Sequence, residues 1–193
     1  MQPFVPPDHR PADPDTALFL AARGGDRAAW SALVRRLAGP SVRLAARVLG
    51  CPDRAEDAVQ EAFTNLWRTA HRFDPARGAL AAWWRRILLN AALDDRRRLR
   101  LAEPLEAAGP TPDPAPGPHE AAETAERDRR LAAAMAHLPP RQRAALALFH
   151  GEGLTMAEIA HALGATPKAV EGLLDRGRAT LRARLAAVAG DHP

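Results

Sequence analysis

Arginine is the residue type best placed to do chemistry in this sequence, and it is unevenly spread. Between Arg72 and Arg100 stand eight arginines against Asp74, Asp94 and Asp95, an excess of five positive charges in a chain of net charge +4. Lys168 is the sole lysine. A guanidinium presents a planar fork of donors that matches phosphates and base edges, which the point charge of lysine does not. A nucleic-acid partner is one reading of this segment, and a solvated helix face is the other. A second group is acidic and amidic: Glu56, Asp57, Gln60, Glu61, Thr64 and Asn65 share one side of a helical period. Nothing spells catalysis. There is no glycine-rich phosphate cradle, no HExxH and no spacing that singles out a Ser, His and Asp set. The seven histidines lack ligand spacing, and the single cysteine, Cys51, makes neither an intramolecular disulfide nor a metal site by itself. The expectation is a protein that is not an enzyme and carries no metal or cofactor.

The elements that must position these groups read as helices. No stretch alternates with strand period for more than a few residues, and β-branched and aromatic residues are too sparse for a sheet. A short helix is expected near Thr16–Arg23, then a long one opening at Asp26, with Trp30, Leu33, Val34 and Leu37 on one face. Gly39-Pro40 is expected to break or kink it before Leu44, Val48 and Leu49 continue the stripe. The next has the cleanest period: Ala55, Ala58, Val59, Ala62, Phe63, Leu66, Trp67 and Ala70 behind Asp53 and Glu56 at capping-box spacing. A third, after FDPARG, buries Leu80, Trp84, Ile87, Leu88 and Ala91.

Six prolines between Pro104 and Pro118 then preclude regular structure. As a polyproline spacer at ~3.1 Å per residue this run would reach ~50–60 Å, more than one ~34 Å turn of duplex. Beyond it, a helix ends at Leu138 and another starts at Pro139-Pro140. Thr155 and Glu158 then form a capping box on a short helix that stops at Gly164, and Thr166-Pro167 opens a long basic one. A short helix, a glycine turn and a long basic helix are the outline of a helix-turn-helix. Its core is expected at Ile159, Leu163, Val170 and Leu173, with Ala160 the small residue where the two helices cross. The exposed positions are expected at Thr166, Lys168, Glu171, Gly172, Asp175, Arg176 and Arg178. The fold expected is all-α: a disordered tail over 1–12, a helical domain over 13–100, a Pro-rich linker over 101–120 and a helix-turn-helix domain over 121–190. The first residues contain no apolar core segment and do not read as a signal peptide, so a cytoplasmic protein is expected.

Two long segments carry a family resemblance. RAEDAVQEAFTNLWR with FDPARGALAAWWRRILLNAALDDRRR resembles the promoter-melting domain, sigma-2, of extracytoplasmic-function (ECF) sigma factors, specificity subunits of bacterial RNA polymerase. LPPRQRAALALFHGEGLTMAEIAHALGATPKAVEGLLDRGRATLRARL resembles their second domain, sigma-4. The resemblance implies partners: core RNA polymerase (the clamp helices of its largest subunit and the flap of the second largest), promoter DNA and an anti-sigma factor, with no membrane insertion. It implies that Glu56, Asp57, Gln60 and Glu61, with Asn65 at the edge, dock on the clamp helices. It implies that Arg72, Phe73, Arg77, Trp83, Arg86, Asn90 and Arg97 serve the minus-ten element. There an amide pairs with a flipped base, an aromatic stacks and arginines hold the backbone. For Trp83 and Phe73, plain core packing is the competing reading. The resemblance also implies that Thr166, Lys168, Glu171, Gly172, Arg176 and Arg178 meet the minus-thirty-five element. Glu171 departs from the basic residue common there; a glutamate can accept from cytosine N4. The alternative is a helix-turn-helix regulator that is not a polymerase subunit, with a ligand-binding helical domain in its N-terminal half.

Overall fold

The structure, a computed structural model, describes residues 13–51, 53–99 and 130–189, with side chains described except at 95–99 and 187–189. The 1–12 tail and the 101–120 linker therefore lie outside the described residues. Among the described residues all regular structure is helical, and no helix is long and apolar enough to cross a membrane.

α1 (Pro14–Arg23) starts where Asp13 accepts from the Asp15 amide and Pro14 presets the first turn. α2 (Arg27–Leu49) starts at Asp26, whose carboxylate accepts from the Ala28 and Ala29 amides at 2.8 and 3.0 Å. α2 runs unbroken through Gly39-Pro40, so the break that was one of the two expected outcomes there does not occur. Both residues are exposed, so the carbonyl that Pro40 leaves without a donor stands on the solvent side. The buried face of Leu33, Ser41, Leu44 and Val48 continues undisturbed beneath it. Gly50 ends the helix with φ 68°, a left-handed turn that suits glycine.

α3 (Asp53–Arg68) buries Ala55, Ala58, Val59, Ala62 and Leu66, and its three alanines bring α2 and α4 close on either side. Asp53 and Glu56 both lie in its first turn, where carboxylates complement the helix dipole. Trp67 was expected in the core stripe but is 51% exposed. One residue beyond Leu66, it is rotated ~100° round the helix to the stripe's edge. Short 3-10 turns at Ala70–Arg72 and Pro75–Arg77 lead into α4 (Leu80–Leu99). Two buried bonds pin α4: its Leu80 amide donates to Thr16 Oγ1 at 3.0 Å, and Trp84 Nε1 donates to Ser41 Oγ at 2.9 Å. Leu80, Trp84, Leu88 and Ala91 are buried as expected, whereas Ile87 is half-buried. Leu89 and Ala92, ~100° round the helix, are buried as well, so α4 is covered on two sides.

The C-terminal half comprises α5 (130–136), α6 (Pro140–Leu146), a π-helical turn (Ala147–Gly151), α7 (Met156–Leu163) and α8 (Pro167–Ala189). The Thr155–Glu158 capping box is formed, and Gly164, φ 57°, makes the turn between α7 and α8. Ile159, Ala160, Leu163 and Val170 are core, but Leu174 takes the place expected for Leu173, which is only half-buried. The register explains it. Val170, Leu174 and Gly177 fall at i, i+4 and i+7, one line along the face that meets α6.

Gly177 sets the α6–α8 distance, since a Cβ there would stand 2.8 Å from Leu146 Cδ1. Gly177→Ala should therefore gain helix propensity yet lose stability by ~1–3 kcal/mol through overpacking; an unchanged or raised Tm would contradict this close approach. The two halves are in contact: α4 packs against α7 and α6, and α2 against α6.

Candidate nucleic-acid and partner interfaces

A cavity of about 250 Å³ opens where the α3–α4 connection meets the first turns of α4. Its walls include Arg72, Phe73, Arg77, Trp83 and Arg86. Local bonds shape it. Asp74 Oδ1 accepts from the Ala76 amide at 3.0 Å and so forms the second 3-10 turn, and Arg23 donates to the Phe73 carbonyl at 3.0 Å. The Phe73 ring is buried, stacked by Trp83 (centroids 5.2 Å, 29° between planes) and met edge-on by Phe19 at 5.4 Å. Trp83 therefore both packs and lines the cavity, so the two readings of it are not exclusive. An aromatic floor ringed by guanidinium groups can stack a flat, electron-rich ring and neutralise its phosphate.

Five of the seven residues expected at the minus-ten element come together here. Asn90 does not line the cavity: it is exposed on α4, seven residues or ~10.5 Å of helix beyond Trp83. The backbone of Arg97 is in α4, but its side chain lies outside what is described. His161, from α7, lines the same cavity and was missed by sequence reasoning. Nothing in local periodicity brings residue 161 to residue 83.

On α3, Glu56, Asp57 and Gln60 are exposed, while Glu61 and Asn65 are half-buried. Trp67 stands on their side, since Gln60, Thr64 and Trp67 fall at i, i+4 and i+7. Its ring meets Trp30 of α2 at 5.1 Å, and the two border an open hollow with Arg27 at its rim. Sequence reasoning placed Trp67 in the core; its position one residue past the buried Leu66 was the available signal.

On α8 the expected residues divide by what they touch. Thr166 Oγ1 caps the helix by accepting from the Ala169 amide at 3.2 Å. Lys168 donates to Glu171 at 2.7 Å, and that carboxylate holds the ammonium above its ordinary pKa. Gly172 leaves room for the Arg176 guanidinium, 3.2 Å from where a Cβ would be. Arg178 lies 5.2 Å over the Phe149 ring and 3.9 Å from Asp175, so it is held against the π-helical turn.

Family comparisons agree with this layout. The model for Sigma-70 region 2 matches residues 33–101, and that for Sigma-70, region 4 matches residues 128–181. The chain is 35% identical over 182 residues to the ECF RNA polymerase sigma factor SigE of Mycolicibacterium smegmatis, covering 91% of this chain and 70% of that protein. It is 34% identical over 185 residues to the RNA polymerase sigma factor CnrH of Cupriavidus metallidurans, covering 91% and 96%. Among solved structures, CnrH in complex with the cytosolic domain of CnrY aligns with TM-score 0.62 at 31% identity over 91% of this chain and 99% of that one. RpoE with the anti-sigma factor NepR from Bartonella quintana aligns with TM-score 0.65 at 18% identity over 81% and 96%, a likeness of fold. Both relatives are named as RNA polymerase sigma factors. The arginine-ringed aromatic cavity, the acidic helix face, the helix-turn-helix and both matched regions lead to one conclusion: this chain belongs to the ECF sigma factors of the sigma-70 family, and it directs RNA polymerase to promoters.

Proposed function

We propose a division of labour among the residues. The exposed face of α3, with Glu56, Asp57, Gln60 and Trp67 and the edge residues Glu61 and Asn65, docks on the clamp helices of the polymerase's largest subunit. The cavity of Arg72, Phe73, Arg77, Trp83 and Arg86 receives a base extruded from the minus-ten element. Asn90 meets the next nucleotide along α4. The first turns of α8, with Lys168, Glu171 and Arg176, read the minus-thirty-five element, and the C-terminal half touches the flap of the second largest subunit. The protein works in the cytoplasm, and by analogy with CnrH and RpoE an anti-sigma factor holds it inactive.

The observation that carries this reading is the cavity itself. Opening a duplex costs a few kcal/mol per base. Stacking worth ~1–3 kcal/mol per base, with charge-assisted phosphate contacts, offsets that cost only if aromatic and arginine groups converge, as they do here. A photo-crosslinker at Arg77 in the promoter-bound holoenzyme should attach to the minus-ten bases of one strand, and one at Gln60 to the largest subunit. Attachment of the Arg77 probe to protein alone would refute the cavity's role.

Glu171 and Lys168 should act as a unit, since each is the other's partner. The exposed pair is screened by water and salt and stabilises the fold little, so contact with bases can replace it at small cost. Glu171→Arg should leave stability near wild type and change the preferred base at one or two minus-thirty-five positions. An unaltered profile in a randomised promoter library would remove Glu171 from the reading surface.

A further inference from the structure

One face of α1 meets the loop and the helix that make the cavity. Thr16, Phe19 and Arg23 stand at i, i+3 and i+7, a single line along α1, and each holds a different part of the cavity's frame. α4 begins after Ala79, which has no side-chain acceptor for a first-turn amide. Thr16 supplies one from another helix: its Oγ1 accepts from the buried Leu80 amide at 3.0 Å and donates to Asp13 Oδ2 at 3.3 Å. The buried Phe19 ring meets Phe73 edge-on at 5.4 Å and lies tilted against Trp83 at 5.9 Å, so it braces the stacked pair. Arg23, in the last turn of α1, donates through Nη1 to the Phe73 carbonyl at 3.0 Å and to the Ala70 carbonyl at 3.5 Å. Those carbonyls stand at the two ends of the first 3-10 turn, and the cavity's Arg72 and Arg77 flank the Phe73–Asp74 peptide. A basic residue in a last turn complements the helix dipole wherever its side chain points. This guanidinium is instead committed to carbonyls 47 and 50 residues along the chain.

We propose that α1 positions the base-binding cavity and that Arg23 is its positioning residue, fixing through two carbonyls the loop on which Arg72, Phe73 and Arg77 stand. This rests on the reading of that cavity as the minus-ten site. Arg23 does not itself line the cavity and acts through the loop. Binding groups recognise a ligand well only when their supports hold them within about 0.5 Å of the productive geometry. Two short 3-10 turns, whose hydrogen bonds are poorer than those of an α-helix, give the loop little stiffness of their own. Thr16 and Phe19 are buried, so replacing either would mix stability with positioning. Arg23 is exposed and separates the two.

Arg23→Met tests this in holoenzyme made with the full chain. Methionine keeps an unbranched stem and good helix propensity but has no N–H to donate. Tm should fall by no more than about 2–4 °C, and affinity for core polymerase and for the closed promoter complex should stay within about twofold of wild type. Promoter opening, followed by permanganate reactivity over time, should slow by about tenfold or more. The preference for the native base at the extruded minus-ten position, measured with all four bases there, should weaken in parallel. Arg23→Lys, which restores a donor, should recover most of both. A residue that merely stabilised α1 would lower Tm and leave the base preference unchanged. Wild-type opening and base preference in Arg23→Met would overturn the proposal, and so would an Arg23→Lys protein no better than Arg23→Met. Arg86→Ala is the separate control on the cavity. If it opens promoters normally, the cavity reading fails and the positioning role with it; if it is slow while Arg23→Met is not, the positioning role alone fails.

Discussion

Asp57→Lys with Glu61→Lys should lower affinity for core RNA polymerase by about a hundredfold or more. The substitution turns two negative charges into two positive ones on α3, at the exposed Asp57 and the half-buried Glu61, beside the exposed Glu56 and Gln60. Removing charged partners at an interface costs ~2–5 kcal/mol, and like-charge juxtaposition adds repulsion; at 1.4 kcal/mol per decade, the lower end already exceeds tenfold. The fold should survive, because α3 is held by Ala58, Val59, Ala62 and Leu66 on its other side. Titration of labelled protein with core, beside a thermal melt, is the measurement. An affinity within threefold of wild type would remove this face from the docking surface. Trp67→Ala belongs in the same titration. An aromatic 51% exposed beside a charged face has the character of an interface anchor, and its truncation should cost a further ~2 kcal/mol or more.

Arg86→Ala should slow open-complex formation by about tenfold to a hundredfold while leaving the first, closed promoter complex nearly unchanged. Arg86 is exposed and lines the cavity, so its loss removes a charge-assisted contact worth ~1.5–3 kcal/mol without opening a hole in the core. Trp83→Ala should slow melting too, but it also strips the ring that stacks on Phe73 and meets Phe19, so its effect mixes stability with chemistry. Asn90→Ala should have a smaller effect than either, since Asn90 stands outside the cavity. Permanganate reactivity of minus-ten thymines reports melting, and a gel shift at low temperature reports the closed complex. Normal reactivity in Arg86→Ala would contradict the cavity's function.

Much of this architecture is legible in the sequence, because its signals are local. The small-residue stripe of α3 has strict helical spacing, and the Thr155–Glu158 box and Gly164 mark both ends of α7 within eleven residues. What the sequence concealed depends on long-range packing. Pro40 stays inside α2 because its side of the helix faces water, and Leu174 replaces Leu173 because α6 lies on the Val170–Leu174–Gly177 line. The candidate site divides the same way. The cavity's loop and first α4 turn were readable as residues close in sequence, and they meet. His161 was not, since it arrives from the other half. On α8, the resemblance placed Gly172 and Arg178 at the minus-thirty-five element, and the sequence did not show their local contacts: Gly172 leaves room for the Arg176 guanidinium, and Arg178 lies over the Phe149 ring.

The central claim is that this chain supplies promoter specificity to polymerase through two separate readers. It is tested most directly by transcription of a randomised promoter library with purified core and this protein alone. Transcripts should depend on added protein, and their templates should share two short blocks at a fixed separation, upstream of the start. The minus-ten block should lose its information when Arg86 is alanine, and the minus-thirty-five block should change with Glu171→Arg. Transcription no higher than with core alone, or templates sharing a single block, would contradict the account.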